Sequence, residues 1–285
     1  MSMRQVQVSQ TEQTVVNTFS HLPKPMKRAI IKPINKMRLA RVHKLQTPEV
    51  LVFYVLDTCN LRCNHCFYWK EVDNPNKAHQ IEDIEKLVKS LREPLELLVL
   101  TGGEPFLRKD LVDIVHLFVK YTGVKRIHIA TNGFTPAMNA RKVKDMLAVC
   151  GDARITLQYS IDGFEEIHDE LRGRKGSFQN VCESVRATNA INDPRLAVSV
   201  ATVVFQKNYA QMQEFKTFVN EELGVPLKLN VLRKVSSVKG VPKDHLADMD
   251  IRDPNYIVPT KEQLLTLPEI VADDSISSRI EKLKI

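Results

Sequence analysis

Three cysteines fall within eight positions, Cys59-Asn60-Leu61-Arg62-Cys63-Asn64-His65-Cys66, and this crowding is the strongest chemical signal in the chain. Thiolates at that spacing sit on one tight loop. There they can bind tetrahedral Zn²⁺ with a fourth ligand, or three irons of a cubane [4Fe–4S] cluster. The polar neighbours Asn60, Arg62, Asn64 and His65 argue against a buried core segment. A Cys₃His zinc site would have to use the adjacent residues His65 and Cys66 as two ligands, which disfavours it. The remaining cysteines, Cys150 and Cys182, lie in apolar helical stretches and read as small core residues.

Four further polar clusters follow along the chain: Thr101-Gly102-Gly103-Glu104-Pro105, Thr131-Asn132-Gly133, Ser160-Ile161-Asp162-Gly163, and residues 230–233 between Asn230 and Arg233. The elements that must position them alternate in period. Short β-branched runs at 51–56, 96–100, 126–130, 154–161, 197–205 and 227–232 predict strands. Between them, residues 81–91, 110–121, 140–150, 178–192 and 209–223 have helical spacing. Strands alternating with helices imply an α/β fold with a parallel sheet, and the near-continuous apolar runs suggest strands covered on both faces. Each polar cluster then falls at the carboxyl end of a strand, and in a parallel barrel those ends share one face, where active sites are built.

A chain of 285 residues, 43% hydrophobic and 26% charged, is globular and long enough for one α/β barrel. The odd cysteine count is wrong for a disulfide framework. No apolar run approaches the length of a membrane span, and no secretory leader is evident, so the expected location is cytoplasmic. Residues 1–48 hold nine Lys or Arg against Glu12, a charge of +8 in a chain of net +7, so the basicity belongs to an N-terminal arm. That arm reads as a solvated, partly helical segment on the barrel exterior. Its functional alternative is adhesion to an anionic surface, such as the inner membrane face or a phosphate-bearing substrate. No aromatic interleaving supports nucleic acid as a partner.

The spacing Cys59-x3-Cys63-x-His65-Cys66 resembles the cluster motif of the radical S-adenosylmethionine (SAM) superfamily, and Gly102-Gly103-Glu104-Pro105 resembles its second motif. The resemblance covers about residues 50–235. The stretch Ser160-Ile-Asp-Gly-x4-His168-Asp169-x2-Arg172-Gly173-x2-Gly176-Ser-Phe178 is similar to the branch holding SPASM-type peptide-modifying enzymes and molybdenum-cofactor cyclases. The resemblance implies a partial (β/α)₆ TIM-like barrel over residues 49–235, with the basic arm at 1–48 and an extension or cap at 236–285. It also implies one [4Fe–4S] cluster on Cys59, Cys63 and Cys66, with SAM chelating the fourth iron through its amino and carboxylate groups. Reductive cleavage of SAM would yield a 5′-deoxyadenosyl radical that abstracts hydrogen from an unactivated C–H bond. The substrate, a small molecule, lipid or peptide, is not identified by the motifs.

Roles for other residues follow by the same resemblance. Gly102 and Gly103 would let backbone approach the methionine end of SAM. The Gly103 carbonyl or the Glu104 carboxylate would accept from its ammonium, with Pro105 stiffening the turn. His65 and the backbone of Phe67 would lie against adenine, and Asn132 would either contact SAM or simply form a turn. Ser160 would reach the ribose or carboxylate, and Arg172 would pair with the carboxylate. His168 and Asp169 are read as capping and packing a following helix, ahead of a proton relay. Asn230 and Arg233 are candidates for touching substrate, and a flavodoxin or ferredoxin would supply the electron. No cysteine follows Cys182, so the auxiliary clusters of SPASM-type enzymes are not expected. The reading from a different class is a zinc-stabilised, non-catalytic binding protein with a basic arm.

Overall fold

The structure, a computed structural model, describes Met26, Pro33 and residues 47–66, 68–70, 72–73, 79–231 and 259–271. Most of the basic arm, Phe67, Arg233 and most of the expected extension lie outside the described residues.

Strand β1 (Val50–Leu56), helix α1 (Ile81–Ser90), β2 (Leu97–Gly102), α2 (Leu111–Thr122), β3 (Arg126–Thr131), α3 (Pro136–Val149) and β4 (Arg154–Ser160) follow one another as βα units. Two helices come next, α4 (Glu165–Arg172) and α5 (Ser177–Asn189), then β5 (Leu196–Val204), α6 (Gln206–Tyr209), α7 (Met212–Thr217), β6 (Leu227–Val231) and, later, α8 (Lys261–Val271). The six strands form one parallel sheet in the order β1-β2-β3-β4-β5-β6. This is the α/β architecture of a partial (β/α)₆ barrel, with β1 and β6 at its edges. No helix among the described residues is long and apolar enough to cross a membrane.

Burial along the strands alternates instead of being continuous. In β3, Ile127 and Ile129 are fully buried while His128 and Ala130 are half-buried; in β1, Val50, Val52 and Tyr54 are exposed while Phe53 and Val55 are buried. The expectation of two covered faces is therefore corrected at β1; in β2 to β4 the second face is half-buried, and in β5 Val198, Ser199 and Val200 are buried in succession. Residues two apart share a face, and the face packed on the helices carries Leu98, Leu100, Ile155 and Leu157 into one core with Ile114, Phe118 and Val185. The residues between them, such as His128 and Ala130 in β3, form the opposite face of the open sheet. Cys150 and Cys182 are buried in the same core, as their helical settings imply.

Local chemistry explains the boundaries. Pro136 occupies the first turn of α3, where its missing N–H costs nothing, so that helix starts before its apolar stripe does. The single helix expected over 209–223 is broken into α6, α7 and a wider π turn at Phe218–Glu222. Helix α4 has only two apolar residues, Ile167 and Leu171, too few for its period to register in sequence. In α8, Leu264 and Leu267 join the main core.

Candidate functional site

The cysteine loop leaves the end of β1 and is seated on the end of α4. A helix leaves its last carbonyls without partners, and here the loop supplies them. Arg62 N donates to Arg172 O (3.2 Å), Asn64 N to Leu171 O (2.8 Å) and Asn64 Nδ2 to Glu170 O (3.1 Å). Gly173 ends α4 at φ +66°, and a Cβ there would stand 2.5 Å from Arg62 O, so the approach needs glycine. Arg62 Nη1 folds back onto Cys59 O (2.7 Å), and Arg174 Nη1 donates to Asn60 O (2.9 Å) while its guanidinium lies 3.9 Å from the Phe134 ring centre.

The Gly102-Gly103-Glu104 turn at the end of β2 is joined to the start of the same loop. Gly103 N donates to Leu56 O (2.6 Å) and Glu104 N to Thr58 O (2.9 Å). A Cβ on Gly102 would meet Leu56 O at 2.2 Å, and one on Gly103 would meet Thr58 O at 2.3 Å. The close approach that excludes side chains here is therefore between the two loops. Glu104 is buried, with Oε1 accepting from Phe106 N (3.0 Å) and Thr131 Oγ1 (2.7 Å) and Oε2 from Asn132 N (2.7 Å). Burial raises its pKa, against the pull of those three donors. Asn132 in turn directs Nδ2 to Asn60 Oδ1 (2.8 Å) and to Cys59 Sγ (3.7 Å), tying the third loop to the first.

Below the loop lies a buried charge network that centres on Asp162. Its Oδ2 pairs with Arg172 Nη2 at 2.7 Å and faces His65 Nε2 at 3.6 Å, and Oδ1 accepts from Val203 N at 2.9 Å. Its N–H donates to His168 Nδ1 (3.1 Å), and its carbonyl accepts from Asn208 Nδ2 (2.8 Å). Burial works against ionisation of Asp162, yet Arg172, then His65 and His168, hold its pKa below the ordinary range. Burial drives His65 down to about 4 and His168 down to about 3, so both imidazoles are neutral at pH 7. Arg172 also directs Nη1 to Cys63 Sγ at 3.7 Å. Asp169 accepts from Gly176 N (2.5 Å), Ser177 Oγ (2.8 Å) and Phe178 N (2.8 Å), which makes it the cap of α5.

A cavity of about 430 Å³ opens at these loops, lined by Cys59, Cys63 and Cys66 together with Gly102, Gly103 and Ser160. His65, Glu104, Asn132 and Arg172 also reach it, so most of the residues singled out in sequence converge on one site. Pro105 is buried at the head of a 3₁₀ turn, Pro105–Leu107, behind the wall. Asn230 is exposed near the end of β6 and is not among the residues lining this cavity. The sequence reading passed over Asp162, although it stands inside the quoted Ser-Ile-Asp-Gly stretch. Its ion pair with a residue on the next helix has no periodic signature.

The donor set fits an iron–sulfur cluster. All three thiols are half-buried, free of disulfides and open to the same cavity. Burial pushes the Cys59 thiol up to about 11, so ligation there displaces a proton. Among the described residues no three His, Cys, Asp or Glu side chains gather closely enough to hold a single metal ion, and His65 packs on Phe205, with ring centres 5.3 Å apart. Neither observation favours a Cys₃His zinc site.

The family model of the Radical SAM superfamily matches residues 53–219. The GTP 3′,8-cyclase of Synechococcus elongatus is 29% identical over 169 residues, which are 58% of this chain and 49% of that protein. The antilisterial bacteriocin subtilosin biosynthesis protein AlbA of Bacillus subtilis is 29% identical over 176 residues, 61% of this chain and 37% of that protein. The chain thus spans half or less of the length of these two relatives. Among solved structures, Streptococcus suis SuiB bound to its precursor peptide SuiA superposes with a TM-score of 0.57 at 19% identity, over 86% of this chain and 50% of that one. Native anSMEcpe with bound AdoMet and Cp18Cys peptide gives 0.56 at 18%, over 80% of this chain and 61% of that one. At those identities the likeness is one of fold. A family match over more than half of the chain weighs against the non-catalytic zinc alternative: this protein belongs to the radical SAM superfamily.

Proposed function

We propose that Cys59, Cys63 and Cys66 hold three irons of one [4Fe–4S] cluster, and that SAM binds in the adjoining cavity. The observation that carries this reading is the convergence of all three thiols and the Gly102-Gly103 turn on a single cavity. Held by these three cysteines, such a cluster would supply the electron for reductive cleavage of SAM and, through the 5′-deoxyadenosyl radical, hydrogen abstraction from an unactivated C–H bond of the substrate. A flavodoxin or ferredoxin is the proposed electron source.

The chain's own groups bind and orient. Glu104 Oε1 already accepts from two donors of the chain and Oε2 from one, so the free lone pair of Oε2 and the backbone carbonyls of the Gly102-Gly103 turn are the acceptors offered to the SAM ammonium. The half-buried Ser160 hydroxyl serves the ribose or carboxylate. Asn132 steadies Cys59 and the loop around it. The relatives' names span a nucleotide, GTP, and a peptide product, so the proposal is framed at the bond attacked and leaves both substrate classes open to test.

The test is anaerobic reconstitution with iron and sulfide, reduction, and measurement of methionine and 5′-deoxyadenosine by mass spectrometry. The loaded protein should be brown, with broad absorption near ~400 nm, and should release both products. Cys59→Ala should lose iron and SAM cleavage together. A colourless protein, or SAM cleavage retained in Cys59→Ala, would overturn the assignment.

A further inference from the structure

We propose that the buried Asp162–Arg172 pair tunes the reduction potential of the cluster by holding a charged N–H donor against one of its sulfur ligands. The inference rests on the reading that Cys63 is a ligand, and it goes beyond the carboxylate-binding role that the resemblance assigns to Arg172.

The geometry is specific. Arg172 divides its guanidinium, with Nη2 on Asp162 Oδ2 at 2.7 Å and Nη1 directed to Cys63 Sγ at 3.7 Å. Arg172 and Asp162 are 7% and 0% exposed, so water screens the pair little. The carboxylate cannot swing away, because its other oxygen is fixed by Val203 N and its backbone by His168 and Asn208. The arginine is fixed at its other end too, since its carbonyl accepts from Arg62 N within the cysteine loop. A planar fork anchored in this way cannot be replaced by the point charge of a lysine. Charged or hydrogen-bonding donors at a cluster's sulfurs favour the more electron-rich, reduced state and raise its potential. Asp162 offsets the arginine's net charge while leaving a donor directed at sulfur, which makes Asp162 a positioning residue.

Replacing Arg172 alone would leave Asp162 as an unpaired buried carboxylate, a change that can prevent folding. The decisive variant is therefore Asp162→Asn with Arg172→Met, which removes both charges at once. The measurement is an EPR-monitored redox titration of the reconstituted cluster without SAM, alongside iron content and SAM affinity. The double variant should load iron as wild type does, yet its one-electron reduction constant should fall about tenfold, a shift of about 59 mV to more negative potential. Arg172→Lys, which keeps the charge and loses the fork, should shift in the same direction by less. If the double variant does not load iron, the lysine variant alone decides by the same criterion. A potential unchanged from wild type, with SAM affinity lost, would overturn the proposal and leave Arg172 a carboxylate ligand only. Wild-type protein that takes up no iron would instead refute the cluster reading itself.

Discussion

Gly103→Ala is the sharpest test of how the site is assembled, because its effect can be worked out without reference to any cofactor. The added methyl would sit 2.3 Å from Thr58 O and 2.6 Å from Asp57 O, both backbone atoms that no rotamer change can move. Ordinary contact begins near 3.4 Å, so relief needs about 1 Å of separation between the two loops. Separation on that scale stretches the Gly103–Leu56 and Glu104–Thr58 hydrogen bonds, now 2.6 and 2.9 Å, out of bonding range. Losing them costs about 1 kcal/mol each, and the overpacking adds about 1–3 kcal/mol. The expected destabilisation is about 3–5 kcal/mol, which at ~2–4 °C per kcal/mol lowers Tm by roughly 10 °C. Thermal unfolding of the metal-free protein followed by circular dichroism measures this, with iron uptake after reconstitution as a second readout. A variant that melts within a degree of wild type and loads iron fully would show that the two loops are not joined as described.

Three further outcomes follow from the same geometry. Glu104→Gln places an amide N–H against one of three buried donors and should cost about 1–3 kcal/mol in urea unfolding; no change would mean those donors find other partners. Asp169→Ala removes the cap of α5 and should cost about 1–2 kcal/mol, with loss of helicity that Asp169→Asn partly restores. Stability should also fall in mild acid. His168 is held at about 3 in the fold but titrates near 6.5 when unfolded, so below pH 6.5 the unfolded chain binds the extra proton. By pH 5 that one histidine removes about 2 kcal/mol, and His65, held at about 4, acts in the same sense. The urea midpoint at pH 7 and pH 5 checks this, and His168→Gln should flatten the dependence by about half. Equal midpoints in wild type at the two pH values would contradict it.

The sheet was legible because each strand announces itself locally. Apolar runs such as 51–56 and 97–100 sit between turn residues, and the observed strands match the expected ones to within a residue or two. The polar clusters at the strand ends were legible for the same reason, and the parallel topology then brought four of the five to one cavity. Asp169 as a cap was readable from its place ahead of Gly176-Ser177. What escaped was set by distance in three dimensions. Gly102 and Gly103 looked like room for a ligand, whereas the neighbours that require them are carbonyls of residues 56–58, more than forty positions earlier. Asp162 looked like one letter of a motif, because nothing local reveals that its partners lie on α4, on β5 and in the cysteine loop. The alternating burial of β1 was hidden because apolar residues occupy both of its faces.

The seating of the cysteine loop on the last carbonyls of α4 bears on how the proposed cluster would fare in air. Fixing a residue's backbone costs about 1–2 kcal/mol, and in a zinc-finger peptide the metal itself must meet that cost. Here hydrogen bonds of the chain itself, from Arg62 and Asn64 to the end of α4, hold the loop, and Gly173 permits the approach. Oxidative destruction of the inorganic core would then empty a shaped receptacle without collapsing it, and the same molecule could be recharged.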